Sequence, residues 1–401
     1  MGTACNHSVH GALRYRPVPE LVALDLPGGD GFVTALRSIW DAGDAAAPLD
    51  PRLPHAARDA VLAALRPSRV ITADGEHHAV AGGLPVEEGD ALVVATSGSS
   101  GHPKGVVLSH EALLASARAT SDRLGIDPAR HSWLASLPLA HIGGLSVVTR
   151  ALLTGTPLTV LPGFEAEVVE SLGRSGTATH VSLVATALQR LDPAVFTRIL
   201  LGGSRPPGDL PHNVVVTYGM TETGSGVVYD GVPLDDVEVA IDHVDTVGND
   251  SRSGGILLRA PMLMRCYRDG STGRVLGPDG SKTWFATGDA GHLTARGTLA
   301  VSGRIAEMIT TGGEKVWPDA VERVIAGHLD VAEVAVWKRP DPEWGERVVA
   351  WVVPAGARPN AEELQDLVAG SLAPWAAPKE IVFINELPRT ASGKIKRSAL
   401  R

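Results

Sequence analysis

Short apolar runs alternate with amphipathic stretches through the first half of the chain. Four runs have the pattern of buried strands, at residues 91–96, 180–185, 198–203 and 213–219. Each run ends in small or turn-forming residues, as the strands of parallel sheets often do. Helical stretches such as residues 111–125 lie between these runs. The alternation predicts an α/β fold with a largely parallel sheet, in which ligands bind at the carboxyl ends of strands.

From about residue 231 the pattern changes to short apolar segments separated by Gly, Asp and Ser turns, which is typical of β-rich structure. A break is predicted within residues 303–316. Beyond it the pattern predicts helices at 318–327 and 361–372, and strands at 332–337 and 347–353. This last stretch has the size of a small domain.

Composition narrows the classes of protein. The 401 residues are 44% hydrophobic and 20% charged, as in globular proteins. The formal net charge of −9, without a basic stripe, argues against nucleic acid as a partner. Cys5 and Cys266 are too few for a disulfide framework or a cysteine-rich metal site. With no signal pattern and no apolar run of about 18 residues, the sequence predicts a cytoplasmic protein without a membrane span.

One loop combines serine, threonine and glycine with a lysine: VVATSGSSGHPKGVVLSH, residues 93–110. Backbone N–H groups of such a loop can surround phosphate oxygens, and a lysine adds a positive charge; a polar surface turn is the alternative. The spacing excludes a Walker A loop, because Pro103 and Gly105 stand where the second glycine and the hydroxyl residue are required. The dinucleotide-binding glycine spacing is also missing here.

The same loop resembles the signature loop of the adenylate-forming superfamily, which contains acyl-CoA synthetases, peptide-synthetase adenylation domains and luciferases. Four further motifs follow in the order of that superfamily: YGMTET at 218–223, TGD at 287–289, GRIAEMITTGGEKVWP at 303–318 and PRTASGKIKR at 388–397. The chain is identified as a member on this ordered set. The resemblance implies a large N-terminal α/β domain with mixed sheets over residues 1–303, a hinge region over 304–316 and a small mobile α+β domain over 317–401.

The resemblance also implies a two-step reaction. A small-molecule carboxylic acid reacts with ATP and Mg²⁺ to give acyl-AMP and pyrophosphate, and coenzyme A then displaces AMP. The residues it assigns to the phosphates are Thr96, Ser97, Gly98, Ser99, Ser100, Gly101 and Lys104. Those it assigns to the adenine are Gly202, Gly203, Ser204, Tyr218, Gly219 and Met220; those at the ribose are Asp289 and Arg304; and those along the pantetheine passage are Gly312 and Gly313.

Four residues receive chemical roles by the same resemblance. Glu222 matches the magnesium-associated glutamate, Thr221 a hydroxyl beside the α-phosphate, Lys394 the C-terminal lysine of the adenylation step, and His141 a residue near the acyl pocket.

Each assigned residue also has a plainer interpretation. Glu222 and Arg304 could be surface charges, Tyr218 a core ring, and His141 a structural hydrogen bonder; Asp289 and the Gly312–Gly313 pair could form turns, and Lys394 could belong to a basic tail. The hinge position falls at Ala306, where aspartate or lysine is more familiar.

The acid itself is less firmly indicated. Residues 137–150, 182–191 and 218–239 are similar to those of ligases that form 2-succinylbenzoyl-CoA in menaquinone biosynthesis. Such an aromatic keto dicarboxylic acid carries a second carboxylate that requires a donor or cation, for which Arg150, Arg190 and Arg205 are candidates. The alternatives are a CoA ligase for another aryl or medium-chain acid, an enzyme that loads a carrier protein, a non-catalytic nucleotide-binding protein, and a structural α/β protein. The oligomeric state is open, a homodimer included.

Overall fold

The computed structural model describes residues 18–96, 103–203, 209–242, 253–389 and 395–400. Its helices are α1 (Asp30–Asp41), α2 (His55–Leu65), α3 (His110–Leu124), α4 (Ile142–Thr154), α5 (Ala166–Arg174), α6 (Ala185–Leu188), α7 (Pro318–Ala326) and α8 (Ala361–Ser371). Its strands are β1 (Leu21–Asp25), β2 (Ala45–Pro48), β3 (Arg69–Thr72), β4 (His77–Ala79), β5 (Asp90–Thr96), β6 (Lys104–Ser109), β7 (Trp133–Ala135), β8 (Leu158–Val160), β9 (His180–Val184), β10 (Arg198–Gly202), β11 (Val214–Met220), β12 (Ser225–Tyr229), β13 (Val232–Pro233), β14 (Glu238–Asp242), β15 (Gly254–Arg259), β16 (Cys266–Tyr267), β17 (Arg274–Val275), β18 (Trp284–Leu293), β19 (Leu299–Arg304), β20 (Ile309–Thr311), β21 (Glu314–Val316), β22 (Val331–Asp341), β23 (Gly345–Pro354) and β24 (Glu380–Phe383).

The four strands predicted in the first half are present as β5, β9, β10 and β11, but they belong to two sheets. The first sheet has the order β16-β6-β5-β2-β1-β3-β4, and the second β13-β12-β11-β10-β9-β7-β8. The first sheet is parallel at its centre and antiparallel towards both edges, whereas the second is antiparallel only at its β12–β13 edge. The expectation of a largely parallel sheet, drawn from the pattern alone, was therefore wrong, whereas the α/β fold with mixed sheets that the resemblance implies is confirmed. The connection from Thr96 to Lys104 explains part of the difference, because a parallel return needs a crossover of roughly a dozen residues.

Helices α3 and α4 join the two sheets into one body. α3 packs against β5, β6 and β12, whereas α4 packs against β7, β8, β9 and β12. The Ser109 side chain caps α3 by accepting a hydrogen bond from Ala112 N at 3.1 Å. One core then includes Leu92 of the first sheet, Leu145 of α4 and Val228 of the second sheet. The ends of strands from both sheets are consequently held in fixed relation to one another.

A third sheet and a separate C-terminal core complete the fold. The third sheet has the order β14-β15-β18-β17, with β19 paired to β18. The last sheet, β21-β20-β23-β22 with β24 beside β23, packs with α7 and α8 around a core that includes Ile309, Val336 and Leu364. Both helices and both strands predicted after residue 317 are confirmed. Among the described residues, no helix has the length and apolar character that crossing a membrane requires.

Glu322 of α7 is a mostly buried carboxyl that holds Arg397, the last residue of the PRTASGKIKR motif. Arg397 Nη2 lies 2.8 Å from Glu322 Oε1 and 3.0 Å from Oε2, and Val336 N donates to Oε1 at 2.7 Å. Burial raises the pKa of Glu322 from 4.5 to about 7, and Arg397 opposes that rise. The charged form is thus the costly one in the folded protein.

The Glu322→Gln variant is expected to remove a pH dependence of stability. Because the folded-state pKa is raised, the unfolded chain binds fewer protons than the folded chain between pH 4.5 and 7, so the wild-type free energy of unfolding falls as the pH rises through that window. Across that window the free energy of unfolding of the wild type should fall by about 3 kcal/mol relative to that of the variant. Urea unfolding of both proteins at pH 4.5, 6 and 8 measures it, and a difference that is constant with pH would contradict the prediction.

Candidate active site

Tyr218, Asp289 and Arg304 form one cluster from three strands. Asp289 in β18 lies opposite Arg304 in β19, and the Arg304 Nε atom is 2.9 Å from Asp289 Oδ1. The hydroxyl of Tyr218, in β11, donates to Asp289 Oδ2 at 2.8 Å. Asp289 N donates to Thr287 Oγ1 at 3.1 Å. The two motifs that carry Tyr218 and Asp289, 71 residues apart, therefore meet through a buried carboxylate.

Burial sets the protonation of this cluster. It raises the pKa of Asp289, against the opposing effects of Arg304 and Tyr218. Burial, and next the charge of Asp289, raise the pKa of Tyr218 well above its usual range. Tyr218 thus remains a donor at neutral pH, and its bound hydroxyl distinguishes it from an ordinary core ring.

Glu222 and Lys104 form a second cluster around Tyr267. Glu222 lies in the 3₁₀ turn Thr221–Thr223 directly after β11, and its carbonyl accepts a hydrogen bond from Met264 N at 2.7 Å. Its Oε1 atom accepts a hydrogen bond from the Tyr267 hydroxyl at 2.8 Å. Lys104 Nζ lies 5.3 Å from the centroid of the Tyr267 ring. Lys104 is also paired with Thr96, so both ends of the serine loop are fixed by β5 and β6.

The charges of each cluster influence the pKa values of the other. The charge of Glu222 contributes to the raised pKa of Asp289, and Arg304 moderates the raised pKa of Tyr267. Within the described residues, no group of three or more His, Cys, Asp or Glu side chains could hold a metal ion. One carboxylate beside a lysine and a phosphate-type loop suits Mg²⁺ that is bound mainly by phosphate oxygens and water. These residues therefore fit a magnesium–nucleotide complex.

Backbone approach explains the glycine of the YGMTET motif. A Cβ atom on Gly219 would lie 2.2 Å from Ser225 O and 2.5 Å from Gly226 Cα, so β12 leaves no space for a side chain. Met220 N donates to Thr223 Oγ1 at 2.9 Å, which closes the turn that presents Thr221 and Glu222. The nearby Gly202 and Gly203 lie at the end of β10, beside β11.

The structure places three predicted residues in other surroundings. His141 precedes α4, with Nε2 3.9 Å from Oδ2 of the buried Asp50. Gly312 and Gly313 form the turn between β20 and β21; a Cβ atom on Gly312 would lie 2.6 Å from the Trp344 ring. The predicted residues Ser97, Gly98, Ser99, Ser100, Gly101, Ser204 and Lys394 lie outside the described residues.

The Asp50 carboxylate that His141 approaches was missed by the sequence motifs. It accepts hydrogen bonds from Arg52 Nε at 2.8 Å and from Nη2 at 2.7 Å, and these bonds hold its pKa below the usual range. Asp50 and Arg52 line a cavity of about 360 Å³ together with Leu139, Phe164 and Arg190. His141 therefore stands near a partly apolar cavity rather than within the described Glu222 cluster.

Arg150 is a buried cation without a carboxylate partner among the described residues. Its Nη2 atom donates to Ser225 Oγ at 2.9 Å, and its guanidinium lies 4.7 Å from the Trp133 ring centroid. The Nε and Nη1 atoms have no hydrogen-bond partner among the described residues. Burial lowers the pKa of Arg150. Of the other two candidates, Arg190 stacks on Phe164 at 5.4 Å and Arg205 is outside the described residues.

Comparison with known proteins identifies the family of the chain. The model of the AMP-binding enzyme family matches residues 83–268, and that of the AMP-binding enzyme C-terminal domain matches residues 320–394. A probable 2-succinylbenzoate–CoA ligase of Mycobacterium tuberculosis is 36% identical over 389 residues, covering 90% of this chain and 96% of that protein. The chain belongs to the AMP-binding enzyme family.

Other members of the AMP-binding enzyme family are similar to this chain in sequence and in fold. The 2-succinylbenzoate–CoA ligase of Enterococcus faecalis is 35% identical over 342 residues, covering 77% of this chain and 69% of that protein. The o-succinylbenzoate CoA synthetase of Bacillus subtilis, solved with its acyl-adenylate intermediate, has a TM-score of 0.81 and 28% identity; the match covers 95% of this chain and 88% of that one. The same synthetase has been solved with ATP and a magnesium ion.

Proposed function

We propose that this chain is an AMP-forming ligase that activates 2-succinylbenzoate with MgATP and then forms 2-succinylbenzoyl-CoA with release of AMP. The observation that carries the proposal is that three distant motifs meet: Lys104 and Glu222 both contact Tyr267, and the charge of Glu222 acts on Asp289. Relatives with matching names align with more than three quarters of the chain. The cytoplasmic location and a homodimer remain predictions of the sequence.

In the first step a carboxylate oxygen of the acid bonds to the α-phosphorus, and the bond from that phosphorus to the bridging oxygen breaks to release pyrophosphate. The chain contributes mainly charge stabilisation and orientation. We assign Lys104 and the serine loop to the β- and γ-phosphates, Thr221 to the α-phosphate, and Glu222 to the magnesium, which neutralises phosphate charge when bound. Asp289 accepts hydrogen bonds from the ribose hydroxyls, and Lys394 moves to the α-phosphate with the C-terminal domain.

Arg150 is our candidate for the second carboxylate of the acid. Burial of an arginine without an acidic partner is costly. A carboxylate that accepts bonds from Nη1 and Nη2 would pair the charge and satisfy one of the two unpaired atoms. Ser225, which Arg150 already contacts, begins β12 three residues after Glu222. The contact thus joins two of the acid segments named from the sequence, 137–150 and 218–239, next to the residue that we assign to magnesium.

Acid-dependent ATP–pyrophosphate exchange tests the proposal. We expect exchange with 2-succinylbenzoate, and a CoA thioester plus AMP by mass spectrometry when CoA is added. Benzoate and medium-chain acids in the same panel test the other CoA ligases, and an acyl carrier protein in place of CoA tests the loading enzyme. Exchange with none of the acids would overturn the enzyme assignment, whereas exchange with a different acid would overturn only the substrate.

The Asp289→Asn variant is expected to weaken nucleotide binding. The amide keeps the shape of the carboxylate but removes the charge that Arg304 contacts and weakens two acceptor positions for the ribose. Hydrogen bonds to a charged group contribute roughly 1.5–3 kcal/mol, so the KM for ATP should rise about tenfold or more, with a smaller change in kcat. Steady-state exchange kinetics measure both constants; an unchanged KM for ATP would exclude a role of Asp289 at the ribose.

A further inference from the structure

Tyr267 lies between the two charged side chains of the second cluster. It ends β16, which pairs with β6 at the edge of the first sheet, and it faces Val106 in the register. The preceding segment also fixes the turn of Glu222, because Met264 N donates to the Glu222 carbonyl. Two backbone contacts therefore fix the position of Tyr267 without its side chain: the pairing of β16 with β6, and the hydrogen bond from Met264 N to the Glu222 carbonyl.

The hydroxyl of Tyr267 holds one oxygen of Glu222. The hydrogen bond to Oε1 is 2.8 Å long, and Oε1 accepts no other hydrogen bond from the described residues. A phenol is a neutral donor at physiological pH, and this one donates to a carboxylate oxygen. A neutral donor orients a carboxylate without cancelling its charge, unlike an arginine or a lysine at the same place.

The ring of Tyr267 also contacts Lys104. Lys104 Nζ lies over the ring at 5.3 Å from its centroid, a distance at which a cation is attracted to an aromatic face. Although both residues are described, Glu222 and Lys104 make no ion pair with each other in the structure. The nearby Asp269 has a lowered pKa, chiefly through Ser271, and Lys104 contributes to that shift. Without the ring, Lys104 would have carboxylates as its nearest partners.

We propose that Tyr267 is a positioning residue: its hydroxyl orients Glu222 towards magnesium, and its ring keeps Lys104 from pairing with Glu222. Both charges then remain available for MgATP. The inference rests on the proposed function, since it assigns the two charges to one ligand. The two contacts come from different parts of one side chain, so they can be removed separately.

Tyr267→Phe removes the hydroxyl and keeps the ring, whereas Tyr267→Leu removes both. For the phenylalanine variant, we expect the Mg²⁺ concentration that gives half-maximal exchange to rise about tenfold, with kcat at saturating Mg²⁺ close to that of the wild type. For the leucine variant, we expect the same shift and, in addition, a several-fold loss of affinity for Mg²⁺-free ATP in calorimetry, because Lys104 pairs with Glu222. Tyr229→Phe is the matched control, since it loses a buried hydroxyl that is 3.1 Å from Thr120 Oγ1, and its Mg²⁺ dependence should stay that of the wild type.

A wild-type Mg²⁺ dependence in Tyr267→Phe would overturn the hydroxyl's role, and equal affinity of the leucine and phenylalanine variants for Mg²⁺-free ATP would overturn the ring's role. A similar shift in Tyr229→Phe would identify the effect as general destabilisation and overturn both. Calorimetry needs no acid, so the ring's role is decided even if the wild type fails to activate 2-succinylbenzoate. In that case the Mg²⁺ dependence of ATP binding, measured in the same way, replaces that of exchange and decides the hydroxyl's role. That failure would overturn the proposed substrate alone, and absence of ATP binding by the wild type would overturn the proposed function and this inference together.

Discussion

Replacing Glu222 by glutamine is expected to lower ATP–pyrophosphate exchange by roughly 100-fold or more without unfolding the protein. Glutamine has the size of glutamate and can still accept the hydrogen bond from Tyr267, while the backbone bond from Met264 is unaffected. The variant lacks only the negative charge of the Glu222 carboxylate, which we propose binds magnesium. Weaker Mg²⁺ binding raises the free energy of the transition state, in which negative charge is shared among the phosphate oxygens.

The measurement is exchange at several Mg²⁺ concentrations, together with the thermal unfolding midpoint. High Mg²⁺ should restore part of the activity of the glutamine variant. Glu238→Gln is the control, because Glu238 is an exposed carboxylate that pairs with Arg259 in β14 and β15. Activity of Glu222→Gln within about threefold of the wild type at every Mg²⁺ concentration would rule out a metal-binding role for Glu222.

The local pattern predicts strands and helices well because a short apolar run or a helical period is a property of the segment itself and does not depend on its partners. β5, β9, β10 and β11 each begin and end within one residue of the predicted bounds. Their division between two sheets was not predicted, since pairing depends on contacts such as Ala46 with Leu92, which are remote in sequence. The site follows the same rule: the ordered motifs identify Glu222 and Asp289 as candidates, but not the geometry that joins them.

Residues outside the motifs gave weaker signals. Tyr267 belongs to a two-residue strand, and its link to Glu222 spans 45 residues, so neither periodicity nor spacing indicates it. Arg150 was one of three arginines that could not be ranked from the sequence, because burial of a cation is visible only after packing. It is the only charged residue of its helix, and its full burial separates it from Arg190, which is exposed.

The Arg150→Met variant provides the sharper test of the substrate, since function and stability should change in opposite directions. Methionine has a similar length and can pack on Trp133, and replacing a buried charge by an apolar side chain is often neutral or stabilising. The free energy of unfolding should therefore stay equal or increase. The KM for 2-succinylbenzoate should rise about 100-fold, because the second carboxylate loses a two-pronged charged donor.

Two comparisons decide whether the rise in KM for 2-succinylbenzoate reflects the binding of its second carboxylate. Arg150→Lys keeps the charge but not the two-pronged donor, so its KM should lie between those of the wild type and of Arg150→Met. Any residual activation of benzoate, which lacks the second carboxylate, should be equal in all three proteins. If Arg190→Met raised the KM for 2-succinylbenzoate and Arg150→Met did not, the carboxylate would have to bind at the cavity beside Phe164. The buried guanidinium of Arg150 would then be a structural group held by Ser225 and Trp133, and its unpaired atoms would need another partner.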